Sequence, residues 1–193
     1  MSPRGVAIPE LREQLFAATD RLLERAGPAG LTSRAITEEA GVAKGVLHNH
    51  FADLDGFLLA YAVDRVRALA ARAEQLEALA GQQTVTTNLT EAAMTLSGPT
   101  ALTVSRLTLA RPSLLGRIID AFASGSDQLG PVEAAIASYL DAEQKLGRVN
   151  ASLDTKTLAL ALVGSVHHLF FTRPGQPPER AAVERIVAAL LGP

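Results

Sequence analysis

Cysteine is absent from this 193-residue chain. That excludes a disulfide framework and a thiolate metal site. Aromatic residues amount to 4%, and runs that alternate polar and apolar residues as strands do are nearly missing. No apolar run reaches the length that spans a bilayer. The N-terminus lacks the apolar core that follows the charge of a secretory signal. A cytoplasmic location with no membrane partner is the expectation. Excess positive charge is missing too. Lys and Arg number 18 against 20 Asp and Glu, a formal net charge of −2, which excludes a basic nucleic-acid coat protein.

The ingredients of catalysis are also thin. His48 and His50 are two apart and His167 and His168 adjacent, so neither pair shares a helix face as a chelating i, i+4 pair would. There is no Gly-rich phosphate loop after a strand and no nucleophile elbow. The expectation is a non-enzyme without a cofactor or metal. What is abundant is alanine and leucine, within a 48% hydrophobic content. Together with the lack of strand patterns, this predicts an all-α fold.

Residues 31–51, LTSRAITEEAGVAKGVLHNHF, are the most informative stretch. Thr32 and Ser33 are capping residues before a short helical run, Arg34 to Ala40. Gly41 accepts the left-handed conformation that stops a helix. A second helix is expected from Ala43 or Lys44 to Phe51. Two helices about a short Gly-containing turn form the pattern of a helix-turn-helix, whose second helix enters the DNA major groove. Leu31, Ile36 and Ala40 share one side of the first helix. Val42, Leu47 and Phe51 share one side of the turn and second helix. Lys44, Gly45, Val46, His48 and Asn49 then point largely outward, where Lys, His and Asn are able to touch phosphates and base edges. Spacing alone leaves an ordinary helical hairpin open as the other reading.

The segment Gly30 to Phe51, GLTSRAITEEAGVAKGVLHNHF, resembles the DNA-binding domain of the TetR family of transcriptional repressors. The similarity extends over residues 10–58 and includes the helical run ELREQLFAATDRLLERAG, with Leu11, Leu15, Leu22, Leu23 and Ala26 at helical spacing. It implies an N-terminal three-helix helix-turn-helix domain, residues 1–53, and a C-terminal helical effector-binding and dimerisation domain, residues 54–193. The DNA-contact set it implies is Thr32, Ser33, Arg34, Lys44, Gly45, Val46, His48, Asn49 and His50.

The chain departs from the family's pattern in places. Ala43 replaces the usual capping Ser, His48 the usual Tyr, and Leu54 a common phosphate-binding Lys. Residues 1–51 hold six Lys/Arg and six Asp/Glu, so phosphate attraction is expected to be weak. His48 and His50 are expected to make operator binding pH-sensitive, since free histidine titrates near roughly 6.5. Arg4 lies in an N-terminal arm, residues 1–9, of the kind that reaches a minor groove in some proteins.

Toward the C-terminus, Leu158 to Phe171 is apolar on nearly every side and needs cover all round. Val183, Ile186, Val187, Leu190 and Leu191 form a stripe at i, i+3, i+4, i+7 and i+8. The expected homodimer interface is Leu158, Leu162, Val166, Leu169, Val183, Ile186, Val187 and Leu190, in a four-helix arrangement with two-fold symmetry. Such a dimer predicts a palindromic duplex DNA operator. The resemblance implies a small-molecule effector in the centre. The candidate pocket residues are Phe57, Tyr61, Met94, Leu107, Phe122, Tyr139, His167 and Phe170, and the lack of a dense charged cluster favours a largely apolar effector. The resulting reading is a ligand-responsive regulator, a repressor by the family's usual sign. The alternative is a helical protein-interaction module that has lost specific DNA binding.

Overall fold

The computed structural model describes residues 8–123, 129–172 and 177–192; residues 1–7 of the expected N-terminal arm, Arg4 among them, lie outside these, while Ile8 and Pro9 already belong to the first helix. Among the described residues there are ten α-helices and no strand. They are α1 (Ile8–Ala26), α2 (Ser33–Glu39), α3 (Val46–His50), α4 (Leu54–Glu74) and α5 (Val85–Leu96). The rest are α6 (Pro99–Ala110), α7 (Pro112–Phe122), α8 (Pro131–Lys145), α9 (Thr155–Thr172) and α10 (Arg180–Leu191). None is long and apolar enough to cross a membrane.

Local chemistry sets many of these boundaries. Thr84 caps α5 by accepting from the Thr87 N–H at 3.0 Å. Asp154 caps α9 by accepting from the Thr157 N–H at 2.7 Å. The hydrogen bonds from Thr157, side chain first and then backbone, hold the Asp154 carboxyl below the usual carboxylate range. Gly147 ends α8 with a φ of 72°. Behind it, the Arg148 N–H reaches back to the Glu143 carbonyl at 2.9 Å, closing a Schellman turn. Pro112 opens α7. Proline fits the first helical position because no intrahelical partner is lost there.

The chain forms two compact units. The first comprises residues 1–63 and 105–118. Its core is Leu15, Phe16, Leu31, Ile36, Leu47, Phe57, Tyr61, Leu107 and Leu114, each at most 2% exposed. The second comprises residues 64–104 and 119–193, with α5, α8, α9 and α10 packed around Leu89, Ile136, Leu140, Leu162, Val183 and Val187.

That second core encloses a polar knot. The Glu143 carboxylate, fully buried, accepts from the Tyr139 hydroxyl at 2.7 Å and from the Gly81 N–H at 3.3 Å. Its other oxygen lies 3.3 Å from an Arg148 guanidinium nitrogen. Asn88 donates to the Tyr139 oxygen at 3.0 Å and to the Gln82 carbonyl at 2.9 Å. Arg148 also donates to the Gln83 carbonyl. The knot ties α5 and α8 to the loop between Gly81 and Thr84. A buried carboxylate is tolerated when paired and hydrogen-bonded, and is costly once a partner is removed.

Burial, and then the Glu143 hydrogen bond, push the Tyr139 phenol well above its ordinary value. The folded state therefore keeps a proton that the unfolded chain releases near about pH 10. Stability from this group is fully present below that pH and falls as pH rises through it. Tyr139→Phe is expected to lower unfolding free energy by about 1–2 kcal/mol at neutral pH. It is also expected to flatten the alkaline loss, as measured by urea denaturation at neutral and alkaline pH.

Candidate DNA-binding interface

Residues 31–51 fold as two short helices about a tight turn. Thr32 is the N-cap of α2, its hydroxyl accepting from the Ala35 N–H at 3.1 Å. Ile36 and Thr37 point inward, and the Thr37 hydroxyl bonds back to the Ser33 and Arg34 carbonyls, each at 3.0 Å. Gly41 stops the helix at a φ of 69°. The Val42 N–H then bonds the Thr37 carbonyl at 3.0 Å and the Gly41 N–H the Glu38 carbonyl at 3.1 Å. This is the Schellman geometry again, and it turns the chain sharply.

The second helix is shorter than its sequence suggests. α3 spans Val46–His50, five residues, and no side chain caps it. Ala43 carries no hydroxyl to catch the free N–H groups, so the chain makes a turn from the Ala43 carbonyl to the Val46 N–H at 3.0 Å. Lys44 and Gly45 belong to that turn and not to the helix.

Packing holds α3 in place. Leu47 is fully buried. Phe51, half-buried, stands edge-on to Phe57 with ring centroids 5.0 Å apart. Phe57 meets Phe16 at 5.7 Å, and Phe16 meets Tyr61 at 5.5 Å, edge to face. Tyr61 donates its hydroxyl to Asp20. An unbroken aromatic chain thus runs from α3 through α4 and α1, each pair contributing about 0.5–1.5 kcal/mol beyond its burial. With Leu47 and Phe51 turned inward, Lys44, His48, Asn49 and His50 are exposed, as are Thr32 and Arg34 on α2; Ser33 and Val46 are half-buried.

The electrostatics are largely internal. Glu39 accepts from Arg21 at 2.7 Å and from Arg25 at 2.8 Å, tying α2 to α1. Arg21 first and Arg25 next hold the Glu39 carboxyl below its ordinary range. That tie is in place at neutral pH and weakens as pH falls through the lowered pKa. Arg34 is paired with Glu38 at 2.7 Å, one turn along α2. Lys44 has no acid partner among the described residues. The partners Glu38 and Glu39 were not singled out from the sequence, although the i, i+4 spacing of Arg34 and Glu38 was a readable signal.

The effector candidates do not gather around one cavity. Phe57, Tyr61 and Leu107 are fully buried in the first unit. Tyr139 is fully buried in the second, its hydroxyl committed to the polar knot. These four are core residues in this conformation. Met94 is half-buried against the second core, and Phe122 lies under the Arg67 guanidinium at 6.0 Å. His167 stands on the exposed side of α9; partial desolvation by the surrounding protein lowers its pKa, opposed by the Glu133 carboxylate. The Phe170 side chain lies outside the described residues. A trough of about 490 Å³ between α5 and α10, lined by Thr90, Arg180 and Arg185 among others, includes none of the candidates.

The eight residues of the expected dimer stripe differ in burial within one chain. Leu162, Val166, Val183 and Val187 are buried within the chain, and Leu158, Leu169, Ile186 and Leu190 pack against the same core. Within one chain, α8 packs against α9 and α5 against α10. The face of α9 left open carries Leu160, 54% exposed, with Gly164, His167 and His168.

A turn-linked helix pair with an exposed polar outer side, carried on an all-helical scaffold, defines the class of helix-turn-helix DNA-binding regulators. A profile described as "Bacterial regulatory proteins, tetR family" matches residues 15–61, the segment that holds α2, the turn and α3. Solved structures share the fold over nearly the whole chain. A protein from Mesorhizobium loti described as a TetR-family transcriptional regulator is 17% identical, covering 97% of this chain and 96% of its own, with a TM-score of 0.74. The multidrug binding protein EbrR, complexed with ethidium, is 20% identical over 95% of this chain and 99% of its own, with a TM-score of 0.65. The transcriptional regulator FadR from Bacillus subtilis, in complex with stearoyl-CoA, is 14% identical over 93% and 97%, with a TM-score of 0.65. No curated protein matches the sequence.

The turn itself is testable. A Cβ on Gly41 would meet nothing within 4 Å, so the penalty of Gly41→Ala is conformational alone. The substitution is expected to cost about 1 kcal/mol, measured as a shift in the denaturation midpoint, while Gly45→Ala, at a negative φ, costs less.

Proposed function

We propose that this chain is a dimeric, ligand-responsive repressor that reads a palindromic duplex through α3 and the turn before it. The observation that carries the reading is the exposure of Lys44, His48, Asn49 and His50 above a buried Leu47. Residues 1–53 supply the reading head, and residues 54–193 the effector-binding and dimerisation functions. Lys44 and Arg34 contact phosphates, and the α3 side chains approach base edges.

Dimerisation uses the open face of α9, with Leu160 at its centre and Gly164 letting a second helix approach closely. A second copy there covers the exposed Leu160 side chain, and two-fold symmetry sets two reading heads about one DNA turn apart. The effector is a largely apolar molecule. EbrR with ethidium and FadR with stearoyl-CoA, proteins of the same fold, support that class. A nearly complete release requires the effector to prefer the non-binding form by roughly 10⁴-fold.

Gel-shift titration against DNA flanking the chain's own gene tests the reading. Lys44→Ala is expected to weaken binding to all duplexes alike and to reduce the salt slope by about 0.9, the share of one phosphate. Leu160→Glu is expected to give a folded monomer on size-exclusion chromatography, with loss of the operator shift. A salt slope unchanged by Lys44→Ala, or a dimer unchanged by Leu160→Glu, contradicts the corresponding contact.

A further inference from the structure

We infer that Glu38 is an internal competitor for DNA phosphate: it occupies Arg34 in the free protein and limits how tightly the reading head binds duplex DNA. This rests on the DNA-binding reading above. Arg34 sits two residues past the N-cap of α2, with its side chain 72% exposed and its Nε donating to a Glu38 carboxylate oxygen at 2.7 Å. The Glu38 side chain is itself 52% exposed. Both therefore face solvent on the outer side of α2, opposite Ile36 and Thr37.

The neighbouring acid shows what a structural role looks like. Glu39 is 18% exposed and bridges two arginines of α1, so it ties two helices together. Glu38 ties nothing: its partner lies on its own helix, one turn away. An exposed i, i+4 pair contributes little to stability, and α2 already has its cap at Thr32. What Glu38 does change is the charge presented outward. Of the cations on residues 31–51, Arg34 and Lys44, only Lys44 has no acid beside it among the described residues.

A phosphate that engages Arg34 must displace the carboxylate or share the guanidinium with it. Either way a negative charge is left close to the phosphate. Neutralising Glu38 removes that charge while preserving its size and the helix.

The test is a set of salt titrations on the full-length dimer with two probes: a mixed-sequence duplex, and the duplex flanking its own gene. Glu38→Gln is expected to bind both about twofold to fivefold more tightly at low salt, the range of an exposed pair. Its salt slope is expected to steepen by up to about 0.9. In an Arg34→Ala background the gain from Glu38→Gln is expected to vanish, which separates competition for Arg34 from a general change in net charge. An equal gain in both backgrounds overturns the inference, as does weaker binding by Glu38→Gln, which would mark Glu38 as a carboxylate that positions Arg34. If neither wild type nor variant binds either duplex, the DNA-binding reading itself falls. If wild type binds and Glu38→Gln is no tighter, only the competitor role falls.

Discussion

The reading head depends on a contact between helices that are too short to stand alone. A five-residue helix such as α3 makes few intrahelical hydrogen bonds, far below the length at which a helix is stable in water. Its geometry is imposed by Leu47, which has no exposed surface, and by Phe51 against Phe57. The rings continue through Phe16 to Tyr61, so the position of α3 is fixed by α1 and α4. The chain has only eight aromatic residues, six Phe and two Tyr. Four of the eight are spent on this one joint, which gives the exposed side chains of α3 a defined direction.

Charge is arranged on the opposite principle. Three of the six Lys and Arg in the first fifty residues are held by neighbouring acids: Arg21 and Arg25 by Glu39, and Arg34 by Glu38. Of these, the exposed Arg34–Glu38 pair costs little to break, but all three lower the field that the domain projects toward a phosphate backbone. Non-specific attraction then contributes less, and recognition has to draw more on shape and on base-edge contacts.

Much of this was legible in the sequence because it is local. Thr32, Gly41, Gly147 and Asp154 act at helix ends through their own side chains or their own φ, and each occupies the boundary that its chemistry predicts. α3 is shorter than the sequence pattern suggests: Lys44 and Gly45 fit a helical spacing but form the turn before it, and Gly45 is its N-cap with no side-chain hydrogen bond. The α9 and α10 stripes show a different limit. A period of three to four residues says that a face is apolar, but not which neighbour covers it. Here the chain's own α5 and α8 cover much of it, and the side of α9 left open is the less regular Leu160–Gly164–His168 side. Buried aromatics are ambiguous in the same way. Phe57, Tyr61 and Tyr139 would serve equally in a ligand cavity or in a core, and only packing separates the two.

The same joint that orients α3 also decides how a signal can reach it. Phe57 sits in the first turn of α4, and Asp55, two residues earlier, is paired with Arg111 at 2.6 Å, where α6 gives way to α7. A change at that junction therefore acts on the turn of α4 that grips Phe51. Contiguity supplies a route, not a switch; a switch needs a second stable arrangement of α4 that an effector prefers. The energetic requirement follows from the packing. The alternative arrangement has to keep Leu47 buried, because uncovering it would cost about 2–5 kcal/mol, a large part of the stability of a small domain. Rotation of α3 and α4 together about the Phe16–Phe57 contact meets that condition, whereas separation of α3 from its core does not. For the ligand response proposed above, the packing favours a released form in which Leu47 stays covered and the reading head changes its direction.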